Sequence, residues 1–183
     1  MKLIRNIPKF ITTGTGTQYA PCLRGYDIGL LTLRLVLGPT MATHGTQKLF
    51  GWFGGSGLNG TGKFFTMNGY PSGKVMAAVA GLTETLGGLG IALGLLMPLA
   101  AAAVFGTMIN ALAVDWDHGF FAPQGFEYPL LITAAAAALA LTGPGRYAVD
   151  RFLPALRTHR LIHGVAALAL GVVLAAIVLL IRR

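Results

Sequence analysis

The sequence is poor in cysteine and in charge. Its one cysteine, Cys22, excludes an internal disulfide, a CxxC redox pair and a cysteine-ligated iron–sulfur cluster. Only 11% of the 183 residues are charged, whereas a soluble domain carries about 25%, because its surface is in contact with water. This composition excludes an ordinary cytosolic enzyme, and the 54% of hydrophobic residues favour a membrane protein.

Acidic residues are especially rare, with 6 Asp and Glu against 14 Lys and Arg and a net charge of +8. In a soluble protein such a balance would indicate a nucleic-acid partner. Here the basic residues lie mostly at the ends of apolar runs, as they do in membrane proteins. We therefore predict contact with a lipid bilayer and no nucleic-acid partner.

Five apolar runs predict an all-α integral membrane bundle. The first, second and fifth are long enough to cross about 30 Å of hydrocarbon, whereas the third and fourth need neighbouring helices to cover their ends. Pro98 separates the second run from the third. The runs are residues 28–50, 75–97, 99–114, 128–141 and 161–181.

The chain divides into three parts. Residues 1–25 have no apolar signal-peptide core, and we predict a retained tail that is cytoplasmic or lies on the membrane surface. Residues 26–150 form the membrane domain, and residues 151–183 form a linker and an additional transmembrane helix. With the N-terminus inside, eight basic residues lie in inner flanks against five in outer flanks, which favours a cytoplasmic N-terminus.

Two ionisable residues fall inside predicted spans, where an unpaired charge costs several kcal/mol. Arg34 and Glu84 would differ in depth by only about 7 Å at the rise of an α-helix. One interpretation is a buried Arg34–Glu84 ion pair that locks two helices. The other is that Glu84 carries or relays a proton for a bound substrate.

A polar stripe runs along the first helix. Arg34, Met41, His44 and Lys48 fall within about 80° of one another at 100° per residue, so they should face the bundle interior. Gln47 lies beside the end of this stripe. Lys48 is either part of a site or a lysine that extends to the membrane interface. His44 is a candidate for proton exchange near neutral pH or simply a hydrogen-bonded side chain.

Glycines and aromatic residues mark other candidate positions. Gly81, Gly87 and Gly88 flank Glu84 and predict close helix packing or, alternatively, a slot for a planar ring. The first and third loops are rich in aromatics, and both should lie on the same side of the membrane, where they could cover a cavity. Their candidate residues are Trp52, Trp116, Glu127 and Tyr128.

No metal or haem is predicted. His44, Glu84 and the acidic residues of the third loop are capable ligands, but no tight ligand spacing joins them. His159 and His163 have a four-residue spacing, which we interpret as an interfacial pair. No obvious pair of axial haem ligands is present.

Together these residues resemble the DoxX family of small bacterial membrane proteins. The resemblance covers about residues 33–150. It is carried by residues 33–38 (LRLVLG), 44–55 (HGTQKLFGWFGG), Glu84 with Gly87 and Gly88, Trp116, 119–120, 127–131 (EYPLL) and 143–147 (GPGRY).

This resemblance implies a four-helix membrane bundle in the bacterial inner membrane, related to the membrane subunit of a thiosulfate:quinone oxidoreductase. The tail and the helix at 161–181 are additions to that core. Such an additional helix is expected to dock other membrane or membrane-associated subunits.

Two functions of different classes follow. The first is a quinone-linked oxidoreductase subunit acting on a sulfur compound or in oxidative stress. In that hypothesis Glu84, His44 and Glu127 are catalytic, and a quinone is bound by Arg34, Gln47, Lys48, Trp52, Trp116 and Tyr128. The second is a non-catalytic accessory subunit that stabilises a larger respiratory complex.

Overall fold

The computed structural model describes residues 22–121, 123, 125–154, 156 and 158–183. The described part is all-α and contains no strand. Most of the predicted tail, residues 1–21, lies outside the described residues. The helices are α1 (Leu23–Phe50), α2 (Gly57–Met67), α3 (Gly73–Leu93), α4 (Met97–Asp115), α5 (Glu127–Thr142) and α6 (Leu161–Ile181).

Helices α1, α3, α4 and α5 form the bundle, and each packs against the next in this order. We call the end where α1 begins the proximal end and the end where α1 finishes the distal end. The α3–α4 turn and the described residues after α5 (143–154, 156 and 158–160) lie at the proximal end. The loop before α3 and the described residues of the loop after α4 lie at the same, distal end, as predicted for the two aromatic loops.

Glycines set the distance between α1 and α3. A Cβ added to Gly38 would lie 2.6 Å from the Gly88 carbonyl oxygen, and one added to Gly88 would lie 2.5 Å from the Gly38 oxygen. A Cβ added to Gly81 would lie 2.6 Å from the Leu49 side chain, whereas Gly87 contacts α4. Because backbone and side-chain atoms of α1 and α4 fill the space beside these glycines, they serve helix packing. The alternative of a slot for a planar ring at Gly81, Gly87 and Gly88 is wrong.

Helix α6 packs against α4 and α5 through a stripe of small residues. Its buried residues are Gly164, Ala167, Gly171 and Ala175. At its end, Arg182 donates hydrogen bonds to the carbonyls of Asn68 (2.8 Å) and Ala113 (3.1 Å). The predicted additional helix is therefore anchored to the bundle of its own chain at the distal end.

Three helices, α3, α4 with the turn that follows it, and α6, are long and apolar enough to span a membrane. Helix α1 has 28 residues, about 42 Å at 1.5 Å per residue, but is more polar, and α5 is a shorter apolar helix of 16 residues. Together with many exposed large apolar side chains, these helices make the chain a membrane protein in contact with lipid.

One predicted boundary is wrong, and one helix was not predicted. The second and third spans separate at 94–96 rather than at Pro98, because Gly94 adopts a left-handed conformation that ends α3. Pro98 lies in the first turn of α4, where its missing N–H costs nothing. The first aromatic loop also contains α2, which its four glycines between residues 54 and 60 did not predict.

Candidate functional site

Glu84 and Lys48 form an ion pair between α3 and α1. The Lys48 Nζ lies 2.6 Å from Glu84 Oε2, and the side chains are 26% and 2% exposed respectively. Glu84 is therefore fully enclosed, whereas its partner reaches partly out of the bundle. Lys48 lies two residues before the end of α1, so the pair links a buried carboxylate to the distal half of the molecule.

One turn before Lys48, His44 contacts α5. Its Nε2 lies 2.9 Å from the Tyr128 hydroxyl, and the two rings are 5.6 Å apart between centroids. Tyr128 is 43% exposed, whereas His44 is half-buried. This polar pair is therefore accessible from outside the bundle.

These two pairs form one cluster, which we call the α1–α5 cluster: His44, Lys48, Glu84 and Tyr128. His44 and Lys48 are one turn apart on the same face of α1, and Tyr128 lies within electrostatic range of Glu84. Helices α1 and α5 pack far less extensively than the other neighbouring pairs of the bundle. The cluster thus lies beside the seam of the four-helix core where neighbouring helices pack least extensively.

Arg34 does not pair with Glu84, and the predicted Arg34–Glu84 ion pair is wrong. Its guanidinium, 1% exposed, donates four hydrogen bonds of 2.7–2.9 Å to carbonyl oxygens. Two of these carbonyls, of Ile91 and Ala92, belong to the last turn of α3, where the helix supplies no regular i+4 donor, although Ile91 also accepts a hydrogen bond from the Gly94 amide at 3.1 Å. The other two belong to Pro144 and Tyr147. Arg34 therefore joins α1, α3 and the segment after α5.

Two buried acidic residues that we did not single out complete this proximal network. Asp150 accepts hydrogen bonds from the amides of Leu96 (2.7 Å) and Met97 (3.1 Å) at the start of α4. Leu96 has φ of 49°, a conformation that few residues other than glycine adopt, and Asp150 stabilises this turn. Asp27 accepts a hydrogen bond from the Arg146 amide at 2.9 Å. Asp27 precedes the first apolar run, so its sequence position alone gave no sign of burial.

The remaining predicted site residues lie outside the α1–α5 cluster. Gln47 donates a hydrogen bond to the Phe53 carbonyl. Trp52 is exposed and packs against Phe50, and Trp116 stacks on Phe126 at 4.8 Å. Glu127 begins α5 beside Tyr128, and its amide bonds to the Phe120 carbonyl. Their predicted binding or catalytic roles remain predictions.

Metal ligands do not gather within the described ranges. No group of three His, Cys, Asp or Glu side chains lies close enough there to hold a metal ion. His159 bonds to the Leu141 carbonyl through Nε2 at 2.9 Å, and the interpretation of His159 and His163 as an interfacial pair remains a prediction. The expectation of a chain without a metal or haem remains a prediction.

Comparison with known proteins identifies the family. The DoxX family model matches residues 29–116. "Putative oxidoreductase CatD" of Bacillus subtilis (strain 168) is 33% identical over 131 residues, which cover 71% of this chain and 90% of that protein. The chain belongs to the DoxX family.

A second relative agrees with this membership. "Inner membrane protein YqjF" of Escherichia coli (strain K12) is 32% identical over 132 residues, which cover 69% of this chain and 93% of that protein. No solved structure is a significant match. The structure places the α1–α5 cluster partly within and partly beyond the residues that the family model matches, since Tyr128 follows residue 116.

Proposed function

We propose that this DoxX protein binds a quinone headgroup at the α1–α5 cluster and acts as a quinone-linked oxidoreductase subunit. The observation that carries the proposal is the His44–Tyr128 hydrogen bond at an exposed edge, one turn of α1 from Lys48, which pairs with a buried carboxylate. The name of the Bacillus subtilis relative, an oxidoreductase, supports the same class of activity.

The chemistry of the pair suits a quinone. When His44 Nε2 carries its proton, it donates to the Tyr128 oxygen, and the Tyr128 O–H is then available to donate to a quinone carbonyl. The open seam between α1 and α5 offers access from the bilayer, where the apolar quinone tail stays dissolved. The residues present therefore fit a quinone as a bound substrate.

Glu84 and Lys48 would supply a proton to this site. Reduction of a quinone to a quinol takes up two electrons and two protons. A proton held by Lys48 or Glu84 lies one turn of α1 from His44, and Tyr128 would deliver it to the quinone oxygen as a general acid. Lys48, being partly exposed, connects the buried carboxylate to a source of replacement protons.

The electrons must come from a donor. The family's relation to sulfur chemistry makes a thiosulfate-like anion our proposed donor. Two such anions joined by a new S–S bond release the two electrons that one quinone accepts. Positive side chains would attract such an anion. Arg34 is buried and engaged, so Lys48 and the exposed Lys63 are the proposed attractants.

We further propose that the protein lies in the bacterial inner membrane with its proximal end in the cytoplasm. The inner-membrane relative supports the compartment. The orientation is supported by the basic residues that flank the proximal end, because positive charge favours the cytoplasmic side.

Binding of a short-chain quinone to the purified protein tests the site. Tyr128→Phe removes the proposed donor and should weaken binding roughly tenfold, the worth of about one hydrogen bond. Tyr26→Phe is the matched control, since Tyr26 is also exposed but lies at the start of α1. Equal binding by the wild type and the Tyr128→Phe variant would overturn the proposed site.

The proton-transfer step has its own test. Glu84→Gln keeps the shape of the side chain, so quinone binding should persist while thiosulfate-dependent quinone reduction falls by about 100-fold or more. Reduction at the wild-type rate by folded Glu84→Gln protein would remove Glu84 from the reaction and leave quinone binding to be judged separately.

A second candidate is the non-catalytic accessory subunit. One observation favours it: within the described residues, every buried side-chain nitrogen and oxygen has a hydrogen-bond partner, as expected of purely structural polar groups. In this case partner subunits would dock on the apolar faces of α6 that the chain's own helices leave exposed. Stoichiometric recovery with a larger respiratory complex, without bound quinone, would support this alternative.

A further inference from the structure

A groove of about 640 Å³ opens at the proximal end, far from the α1–α5 cluster. It runs along the segment that follows α5 and reaches the last residue of α3. The lining residues are Leu93, Arg146, Tyr147, Ala148, Val149, Arg151 and Phe152.

The groove is held in shape by the proximal network. Its floor is the segment that Arg34 binds through the carbonyls of Pro144 and Tyr147. Asp150, between two of the lining residues, bonds to the start of α4. The backbone of the groove is therefore fixed by buried charged residues, which favours a formed binding surface.

The exposed charges around the groove have one sign. Arg146 and Arg151 line it and are exposed, and Arg24 and Arg160 are exposed at the same end. The acidic residues described at this end, Asp27 and Asp150, are 8% and 3% exposed. Negative charge is therefore turned inward, and the surface offered to a ligand is positive.

One end of the groove is apolar, and its residues indicate where the groove lies relative to the membrane. Leu93 ends the membrane-spanning helix α3 and is 53% exposed. Tyr147 and Phe152 are 55% and 82% exposed, as is typical of aromatic residues at the membrane interface. The two arginines therefore lie at the level of lipid headgroups, beside a surface suited to acyl chains.

We propose that this groove binds the headgroup of an anionic phospholipid. Arg146 and Arg151 would contact the phosphate, since a guanidinium donates in a geometry that matches phosphate oxygens. Arg146 contacts Asp27 through Nε at 3.5 Å, yet its side chain is 62% exposed, so its outer N–H groups are free to donate to a ligand. Leu93, Tyr147 and Phe152 would contact the glycerol and the first part of the acyl chains.

Native mass spectrometry of the full chain in detergent tests this site with phosphatidylglycerol and with phosphatidylcholine of the same acyl chains. The wild type should bind phosphatidylglycerol more tightly. Arg151→Gln should weaken that binding about fivefold, the effect of one arginine near an anionic headgroup. Arg160→Gln, at the same end but outside the groove, should leave it unchanged.

Other outcomes would overturn the proposal. Equal affinity for the two lipids, or equal losses in Arg151→Gln and Arg160→Gln, would mean a diffuse positive surface instead of a site. Displacement of the lipid by inorganic phosphate alone would indicate a soluble phosphate ligand. Arg151 is exposed, so its variant should fold. Arg146→Lys, which retains the charge, should bind more weakly than the wild type if the fork of the guanidinium contributes.

Discussion

The Lys48 ammonium lies 2.6 Å from a Glu84 carboxylate oxygen, with the lysine on α1 and the glutamate on α3. The backbones of α1 and α3 come into contact at Gly38 and Gly88. Few side chains other than Lys48, Glu84 and their neighbours therefore lie between these two helices. In a chain that spans a membrane, a carboxylate enclosed at this depth depends on its one cationic partner. The pair is thus both a structural contact and the core of the proposed proton path.

Lys48→Met should therefore destabilise the protein by about 3 kcal/mol, because it leaves the buried carboxylate of Glu84 unpaired. Glu84→Gln should cost less, since Lys48 is partly exposed and can turn outward. The double variant should recover most of the loss of Lys48→Met. Thermal unfolding in detergent measures all three, and strictly additive losses would contradict a coupled pair.

Arg34→Lys should lower stability by more than about 2 kcal/mol, although the charge is kept. A lysine ammonium has three N–H donors on one nitrogen, so it cannot reach carbonyls of both α3 and residues 144–147 as the guanidinium does. Arg24→Lys, on the exposed start of α1, is the control. If both variants unfold at the wild-type temperature, Arg34 does not hold this end together.

Asp150→Asn should lower the free energy of unfolding by roughly 1 to 2 kcal/mol. The two backbone N–H groups bond to different carboxylate oxygens of Asp150, and an asparagine side chain has only one oxygen. The other N–H, of Leu96 or Met97, would face a second donor. Asp117→Asn makes the same chemical change at an exposed position and should be silent. Hydrogen exchange at the start of α4 reports the difference, and unchanged protection there would argue against this cap.

Gly38→Ala should cost about 2 kcal/mol, because the new methyl group would lie 2.6 Å from backbone atoms of α3 and force the helices apart. Gly29→Ala adds the same methyl group on the same helix, where no atom lies within 4 Å, and should be tolerated. The melting temperatures of the two variants, each compared with the wild type, measure this difference in stability. Equal effects would show that α1 and α3 do not depend on this close approach.

The all-α membrane fold could be predicted because a run of apolar residues long enough to cross the membrane is typical of a transmembrane helix. The family could be predicted because an ordered set of residues carried it. Helix α2 could not, since residues 54–60 contain four glycines, which by themselves favour a loop. Its stability comes instead from packing against α3 and α1, which sequence periodicity does not reveal.

The candidate site could be predicted only as a set of residues. Glu84, His44, Lys48 and Tyr128 all appeared among the candidates, but the depth estimate paired Glu84 with Arg34, whereas its partner is Lys48. That choice depends on the crossing of α1 and α3 and on the carbonyls at the end of α3, which accept hydrogen bonds from Arg34. A cap of this kind pairs residues 57 positions apart, and no local pattern marks it.

Quinone retention by the chain purified in a mild detergent tests the central claim most directly. Mass spectrometry of the extracted small molecules and of the co-purifying proteins would be compared for the wild type, Tyr128→Phe and Tyr26→Phe. Our account predicts quinone in the wild type and in Tyr26→Phe, and its loss from Tyr128→Phe. Absence of quinone from a wild-type protein recovered in fixed ratio with a larger complex would contradict it and support an accessory subunit.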